Sequence, residues 1–174
     1  DAAMTGVAAQ EYDEAIIVLD RCPDLTERAK AVPRATVINL EGPPGWRSPC
    51  LTFNAGLDAA TGDIFLGCHG DVIPASGAFQ AAVTLMGQQQ AVYFAQVVES
   101  DPAMLIGAGH AGPVLCSSGQ TRPMLYLFAA PMQSMRAING WDLAYMDGFC
   151  YEDDDVATRL WKSGLDFVWD DSFA

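Results

Sequence analysis

Gly62-Asp63-Ile64-Phe65-Leu66-Gly67-Cys68-His69-Gly70-Asp71-Val72-Ile73-Pro74 reads as a strand, a tight turn and the approach to a helix. The apolar run Ile64 to Cys68 suits a buried strand, and a helix should start near Pro74. Asp71 follows Gly70, whose lack of a side chain allows close backbone approach. Ligands in open α/β sheets gather beyond the carboxyl ends of the strands. A carboxylate there can hold a divalent cation, and the cation can hold a phosphate. An aspartate that bonds its own turn explains the same residue more plainly. This stretch alone favours that plainer account, and the flanking segments shift the balance.

Upstream, Ala15-Ile16-Ile17-Val18-Leu19-Asp20 holds four consecutive large apolar residues, as in a parallel strand buried on both faces. Pro23 to Glu27 looks like a helix start, with Asp24 as N-cap and Glu27 in capping-box position. That helix should end near Pro33. Ala35 to Leu40 is a second strand, Glu41 to Pro49 a loop, and about Pro49 to Ala60 a helix. Downstream of the opening stretch, a helix to about Gly87 precedes a strand over Ala91 to Val98. The alternation predicts an α/β domain with a mostly parallel sheet flanked by helices.

From Asp101 to Thr121 the pattern is weak and reads as loop. Gly107 and Gly109 have dinucleotide-fingerprint spacing, but no strand-to-helix junction supports them. His110 lies in this loop without a role. Met124 to Phe128 is predicted as a strand, Pro131 to Ile138 as a short helix ended by Asn139-Gly140. Glu152 to Ser163 is predicted as a helix with Val156, Leu160 and Trp161 on one face. Asp166 to Trp169 is the last strand. No repeat or linker divides residues 1–174, which read as a single domain.

Charge and cysteine usage narrow the class. The 174 residues carry 22 acids against 9 Lys and Arg, a formal net charge of −13. Such a balance argues against nucleic acid and against an anionic membrane surface. It still admits a phosphorylated small molecule if a metal screens the charge. Cys22, Cys50, Cys68, Cys116 and Cys150 form neither a C-x-x-C pair nor a disulfide framework. A reducing, cytoplasmic setting is the expectation. No apolar run reaches the length of a membrane span.

Tyr151-Glu152-Asp153-Asp154-Asp155 is the densest charge run. Acids at a helix N-terminus interact well with its dipole. One or two suffice for that, whereas four repel one another and raise pKa values, which suits a general base or a metal. On a helix Asp153 and Asp155 point roughly 200° apart, and Asp154 stands roughly 100° from each.

With these segments in view, the chain resembles the GT-A nucleotide-sugar-dependent glycosyltransferases, broadly glycosyltransferase family 2. Its later part is similar to the C-terminal region of β-1,4-galactosyltransferase-type enzymes. The strand ending at Asp20, then Asp24 and Thr26, resembles the family's strand that ends in an acid near the nucleotide base. Asn54-Ala55-Gly56 with Ala60-Thr61-Gly62-Asp63 resembles its Asn-x-Gly and Ala-x-Gly-Asp stretch. His69-Gly70-Asp71 falls at its Asp-x-Asp motif. Asn139-Gly140-Trp141-Asp142 with Glu152-Asp153 resembles its Gly-Gly-aromatic-Asp and Glu-Asp pattern.

The resemblance implies a GT-A-like, Rossmann-like fold and inverting transfer of a sugar from a nucleotide-diphosphate donor. The acceptor would be a glycan or another hydroxyl-bearing molecule. A divalent cation, Mn2+ or Mg2+, would sit on Asp71 and His69. Asp20, Arg47, Asn54, His69, Gly70 and Asp71 would hold the nucleotide sugar, with the Gly42 to Arg47 loop lining the nucleotide. Gly140, Trp141, Asp142 and Glu152 would hold the acceptor, Trp141 offering a flat face to a sugar ring. Asp153 would be the catalytic base.

Three departures stand out. His69 replaces the motif's first acid, which shifts metal preference towards softer ions. Phe53 stands where a basic residue is common, leaving positive charge to Arg47. The family's first strand and a His after the last strand are not seen. The chain thus reads as a piece cut from both ends of a catalytic domain, or a reduced relative of one. Two other functions fit the same residues: a non-catalytic nucleotide-sugar or glycan-binding module, and a nucleotidyltransferase.

Overall fold

The computed structural model describes residues 2–43, 45, 47–98, 114–118, 122–148 and 151–172. In chain order these form α1 (Ala2–Ala8), β1 (Ala15–Asp20), α2 (Thr26–Lys30), β2 (Ala35–Leu40) and α3 (Cys50–Ala59). Next come β3 (Ile64–Cys68), α4 (Ala78–Met86), β4 (Ala91–Ala95), β5 (Val97–Val98) and β6 (Val114–Cys116). The last are β7 (Leu127–Pro131), α5 (Met132–Ala137), α6 (Glu152–Lys162) and β8 (Asp166–Asp170).

β1 and β2 pair in parallel, Ala15 opposite Ala35 and Asp20 opposite Leu40. The main sheet has the order β3-β7-β4-β8. β7 is antiparallel to both neighbours, and β4 is parallel to β8. The sheet is therefore mixed rather than mostly parallel as expected, since β7 enters antiparallel between β3 and β4, while β3, β4 and β8 run in one direction. Period-2 alternation divides its side chains between two cores. Phe65, Val92, Phe94, Phe128 and Ala130 join Leu57, Met135, Trp141, Val156 and Leu160 on one face. Tyr93, Ala95, Leu127 and Ala129 join Phe79, Ala82 and Met86 of α4 on the other. Gly67 is demanded by this packing, because a Cβ there would lie 2.2 Å from the Phe128 ring.

Several boundaries differ from the sequence reading, each for a local reason. Asp24 is no N-cap. It lies inside a 3-10 turn, Pro23–Leu25, and α2 starts without a side-chain cap. Pro23 has φ already fixed near the helical value, so the turn begins ahead of Asp24. α4 begins at Ala78, after Gly77 at φ 82, rather than near Pro74. The strand expected over Ala91 to Val98 is split. Gln96 N–H still bonds Asp170 of the β8 side, whereas Val97 and Val98 pair with β6. β7 starts at Leu127, not Met124, because Asp153 captures the N–H of Leu125 at 3.0 Å.

α6 buries Val156 and Leu160 as expected, but Trp161 is 64% exposed. Five residues advance the helix by roughly 140°, which carries Trp161 off the Val156 face. Among the described residues no helix is long and apolar enough to cross a membrane. His110, Cys150, Gly107, Gly109 and most of the Asp101 to Thr121 stretch lie outside the described residues.

Candidate active site

The carboxyl end of β3 delivers His69, Gly70 and Asp71. His69 N–H bonds Tyr126 O at 2.9 Å, which extends the β3–β7 ladder by one rung. Its ring lies 5.1 Å from Phe53 and 5.7 Å from Tyr126, between centroids. Nε2 is buried without a hydrogen-bond partner. Burial pushes the imidazole pKa down, against the opposing charges of Asp71 and Glu152, so the ring is neutral at pH 7. Gly70 is exposed, and a Cβ there would touch nothing within 4 Å. Asp71 is exposed on the same turn.

The carboxyl end of β1 delivers Asp20, and here the geometry departs from a nucleotide-facing acid. Arg47 donates to both carboxylate oxygens, through Nε at 2.9 Å and through Nη2. Arg21 donates to both as well, at 3.0 and 3.2 Å. Arg21 sits at φ 56 and also reaches Pro43 O at 2.5 Å and Gly45 O at 2.7 Å. The two guanidinium groups hold the Asp20 carboxyl below its usual range, Arg47 most strongly. Arg47, expected to face a diphosphate, is thus paired with the acid expected to face the base.

Asn54 is likewise committed. Its Nδ2 donates to Trp141 O at 2.7 Å, and its Oδ1 accepts from Trp141 N–H at 2.8 Å. Gly140 at φ 61 makes this clip possible, since a Cβ would lie 2.4 Å from Asn54 Oδ1. The expectation that Trp141 shows a face to a sugar is corrected. Trp141 is 1% exposed, and Phe53 stacks on it at 4.5 Å with an interplanar angle of 11°. Only its indole Nε1 remains, buried and unpartnered. Asp142 is exposed and caps the turn Leu143–Tyr145 by accepting from Ala144 N–H at 2.9 Å.

The acids at the start of α6 are sorted by helical phase, and the N-cap is Tyr151, without a side-chain bond. Asp154 turns outward to Arg122, at 2.8 and 2.7 Å. Asp155 pairs with Arg159, whose Nη1 also donates to Ile138 O. Glu152 and Asp153 turn inward and are buried. Asp153 accepts from Leu125 N–H through Oδ2, whereas Oδ1 has no partner, and neither has Glu152 Oε2. Burial pushes the Asp153 carboxyl up to about 6, with Glu152 and Asp154 adding to the rise.

These pieces meet. The charge of Glu152 acts on His69, so the start of α6 faces the end of β3. Phe53 touches both His69 and Trp141. Phe53 and Tyr126 are site residues that sequence reasoning passed over. Phe53 was legible only as the neighbour of Asn54, and Tyr126 had been placed within a strand. Arg21 was also passed over, since nothing in the sequence marks its left-handed backbone.

Among the described residues no three His, Cys, Asp or Glu side chains gather as a metal centre. His69, with an unpartnered buried nitrogen and a neutral ring, and Asp71 supply two donors on one turn. Such a pair fits a cation whose remaining ligands come from a bound phosphate, not one caged by protein alone.

No protein-family model matches the chain, and no curated protein matches it. Among solved structures, the fold is similar to a mannosyltransferase from Pyrobaculum calidifontis in complex with GDP-Man and Mn2+. The TM-score is 0.68 at 17% identity, covering 98% of this chain and 50% of that one. The chain therefore spans about half the length of that structure. The likeness is one of fold: a mixed α/β architecture with sheet strands flanked by helices.

Proposed function

We propose that the chain carries the donor and catalytic half of a nucleotide-sugar-dependent glycosyltransferase that inverts the anomeric centre. The observation that carries the reading is a set of buried polar atoms without partners. Of the five such atoms among the described residues, four are His69 Nε2, Trp141 Nε1, Glu152 Oε2 and Asp153 Oδ1, and the fifth is Gln96 Oε1. The four lie on residues linked by ring contact or by charge, at the edge where β3 ends. Buried polar groups are ordinarily satisfied, and exceptions call for a ligand or a chemical role.

Asp153 is the general base. A carboxyl poised near 6 is ionised at pH 7 yet basic enough to take a proton. The acceptor hydroxyl gives its proton to Asp153 Oδ1 while its oxygen attacks the anomeric carbon. The bond from that carbon to the diphosphate oxygen breaks on the opposite face, giving inversion. Glu152 bonds a sugar hydroxyl, and Trp141, sealed under Phe53, supports the floor of the site. Asn54 acts by fixing the Trp141 backbone. Asp71 and His69 would hold a divalent cation, which would supply positive charge against the diphosphate. Asp20 recognises the nucleoside and Arg47 the phosphates.

The gap at the motif's first acid favours a second reading, a donor-binding module without turnover. Both are tested by titrating the protein with nucleoside-diphosphate sugars, GDP-Man among them, with and without Mn2+, and following transfer of labelled sugar. Mn2+-dependent binding with transfer supports the enzyme, and binding without transfer supports the module. Absence of binding would overturn both.

A further inference from the structure

Asp20 and Arg47 are assigned above to two halves of one ligand, yet they occupy each other. Two carboxylate oxygens of Asp20 receive four hydrogen bonds, two from Arg21 and two from Arg47. The carboxylate has no capacity left for a base or a ribose until one arginine leaves. Arg21 is tied down independently, since its Nη1 also bonds Pro43 O and Gly45 O. Among the described residues Arg47 bonds Asp20 alone; its Nη1 lies against Gly42, where a Cβ would sit 2.8 Å away. Arg47 is therefore the partner free to leave.

We propose that the Asp20–Arg47 ion pair is an internal competitor that selects whole nucleoside diphosphates over their separate halves. The inference rests on the glycosyltransferase reading of this site. A nucleoside that engages Asp20 must strip it of Arg47 and leave a guanidinium, 13% exposed, without a carboxylate. Pyrophosphate that engages Arg47 must strip it from Asp20 and leave that acid one partner short. Each half ligand bears the loss of the pair and restores only one side. A nucleoside diphosphate restores both, because the base side satisfies Asp20 while the phosphates satisfy Arg47. Breaking an ion pair of this burial without replacing a partner is costly, whereas exchanging partners is nearly neutral. Arg47 is thus a specificity-determining residue whose service is a change of partner.

The pair makes predictions of opposite sign for two variants. The experiment is titration calorimetry of the whole chain in Mn2+ buffer with GDP, UDP, guanosine, uridine and inorganic pyrophosphate as probes. Arg47→Gln should weaken the preferred diphosphate but tighten its nucleoside by roughly tenfold, because Asp20 has lost its competitor. Asp20→Asn should weaken the nucleoside but tighten pyrophosphate by a similar factor. A merely structural pair would shift all probes in one direction, or none. Far-ultraviolet dichroism and a melting curve check that both variants fold, and Arg47→Lys gives a charge-preserving second variant should Arg47→Gln unfold. Diphosphate binding by the native protein without these opposite shifts would overturn the inference alone. No binding of GDP or UDP to the native protein would overturn the reading beneath it, and this inference with it.

Discussion

Asp153→Asn tests catalysis and stability at once. The carboxyl sits at about 6 against an ordinary 3.8. It thus holds its proton more tightly in the folded chain than in the unfolded one, by about 3 kcal/mol. The raised value fixes the sign. The stabilisation is fully present below about pH 4 and is lost as the pH rises through about 6. At pH 7 the ionised group therefore burdens the fold by about that amount. Asparagine keeps the shape and an oxygen for the Leu125 N–H, and it carries no charge. The variant should be more stable than the native protein at pH 7 by up to about 3 kcal/mol, or roughly 6–12 °C in melting temperature. The advantage should vanish below about pH 4. Sugar transfer should fall by roughly 10²–10⁴-fold, while donor affinity holds. Native transfer should also rise through about pH 6, a limb that the variant lacks. Urea unfolding at pH 7 and pH 3.5, with single-turnover transfer across the range, reads all of this. A variant that is less stable at pH 7 and fully active would reduce Asp153 to a strut for the Leu125 backbone.

Three further outcomes follow from the same geometry. Gly140→Ala should destabilise the protein by about 2–3 kcal/mol in urea unfolding, since φ 61 and a Cβ 2.4 Å from Asn54 Oδ1 both oppose it. Asp71→Ala should weaken Mn2+-supported GDP-Man binding by roughly 10–100-fold and abolish its sensitivity to chelator, and unchanged calorimetry would remove the cation from the site. Asp154→Asn and Asp155→Asn should each cost about 1 kcal/mol or less and leave transfer near native, because these acids pair with Arg122 and Arg159. Loss of transfer in Asp154→Asn, with Asp153→Asn active, would move the base one residue along.

How far the sequence could be read depended on whether a feature is local. β1 and β3 were legible because a short, largely β-branched run such as Ile16-Ile17-Val18-Leu19 favours a strand, although Ile16, Ile17 and Val18 are half-buried rather than covered on both faces as expected. The direction of β7 was not legible, since nothing within Leu127–Pro131 records that its neighbours run the other way. Its start was misplaced because Leu125 is as apolar as Leu127, and the deciding bond comes from Asp153, far along the chain. Helical phase separated the acids of α6 correctly in angle. It could not say which of them faced inward, which depends on Val156 and Leu160 meeting the sheet. The same phase, applied to Trp161, would have placed that residue outside.

The partners of the site residues lay further still from local pattern. Asn54 and Trp141 are 87 residues apart, and Asp20 and Arg47 are 27 apart. The sequence supplies residue types suited to a ligand, and the fold spends some of them on each other. Both amide heteroatoms of Asn54 engage the Trp141 backbone, so it holds Gly140 and Trp141 in place. His69, Glu152 and Asp153 are the reverse case: His69 is half-buried and the two acids are buried, and each keeps a buried atom unpaired. Leaving a buried polar atom unpaired costs about 1–3 kcal/mol. The same chain satisfies Asn54 twice and Asp20 four times, so it does not lack means to pair such atoms. With Trp141 Nε1, the unpaired atoms of His69, Glu152 and Asp153 make four of the five such atoms among the described residues, Gln96 Oε1 being the fifth, and these four are joined by Phe53 on one side and by the charge of Glu152 on the other. A cost that falls mostly on four linked residues marks a surface shaped for something other than the protein itself. That separates the inward acids of α6 from the outward ones, although all four stand consecutively in the chain.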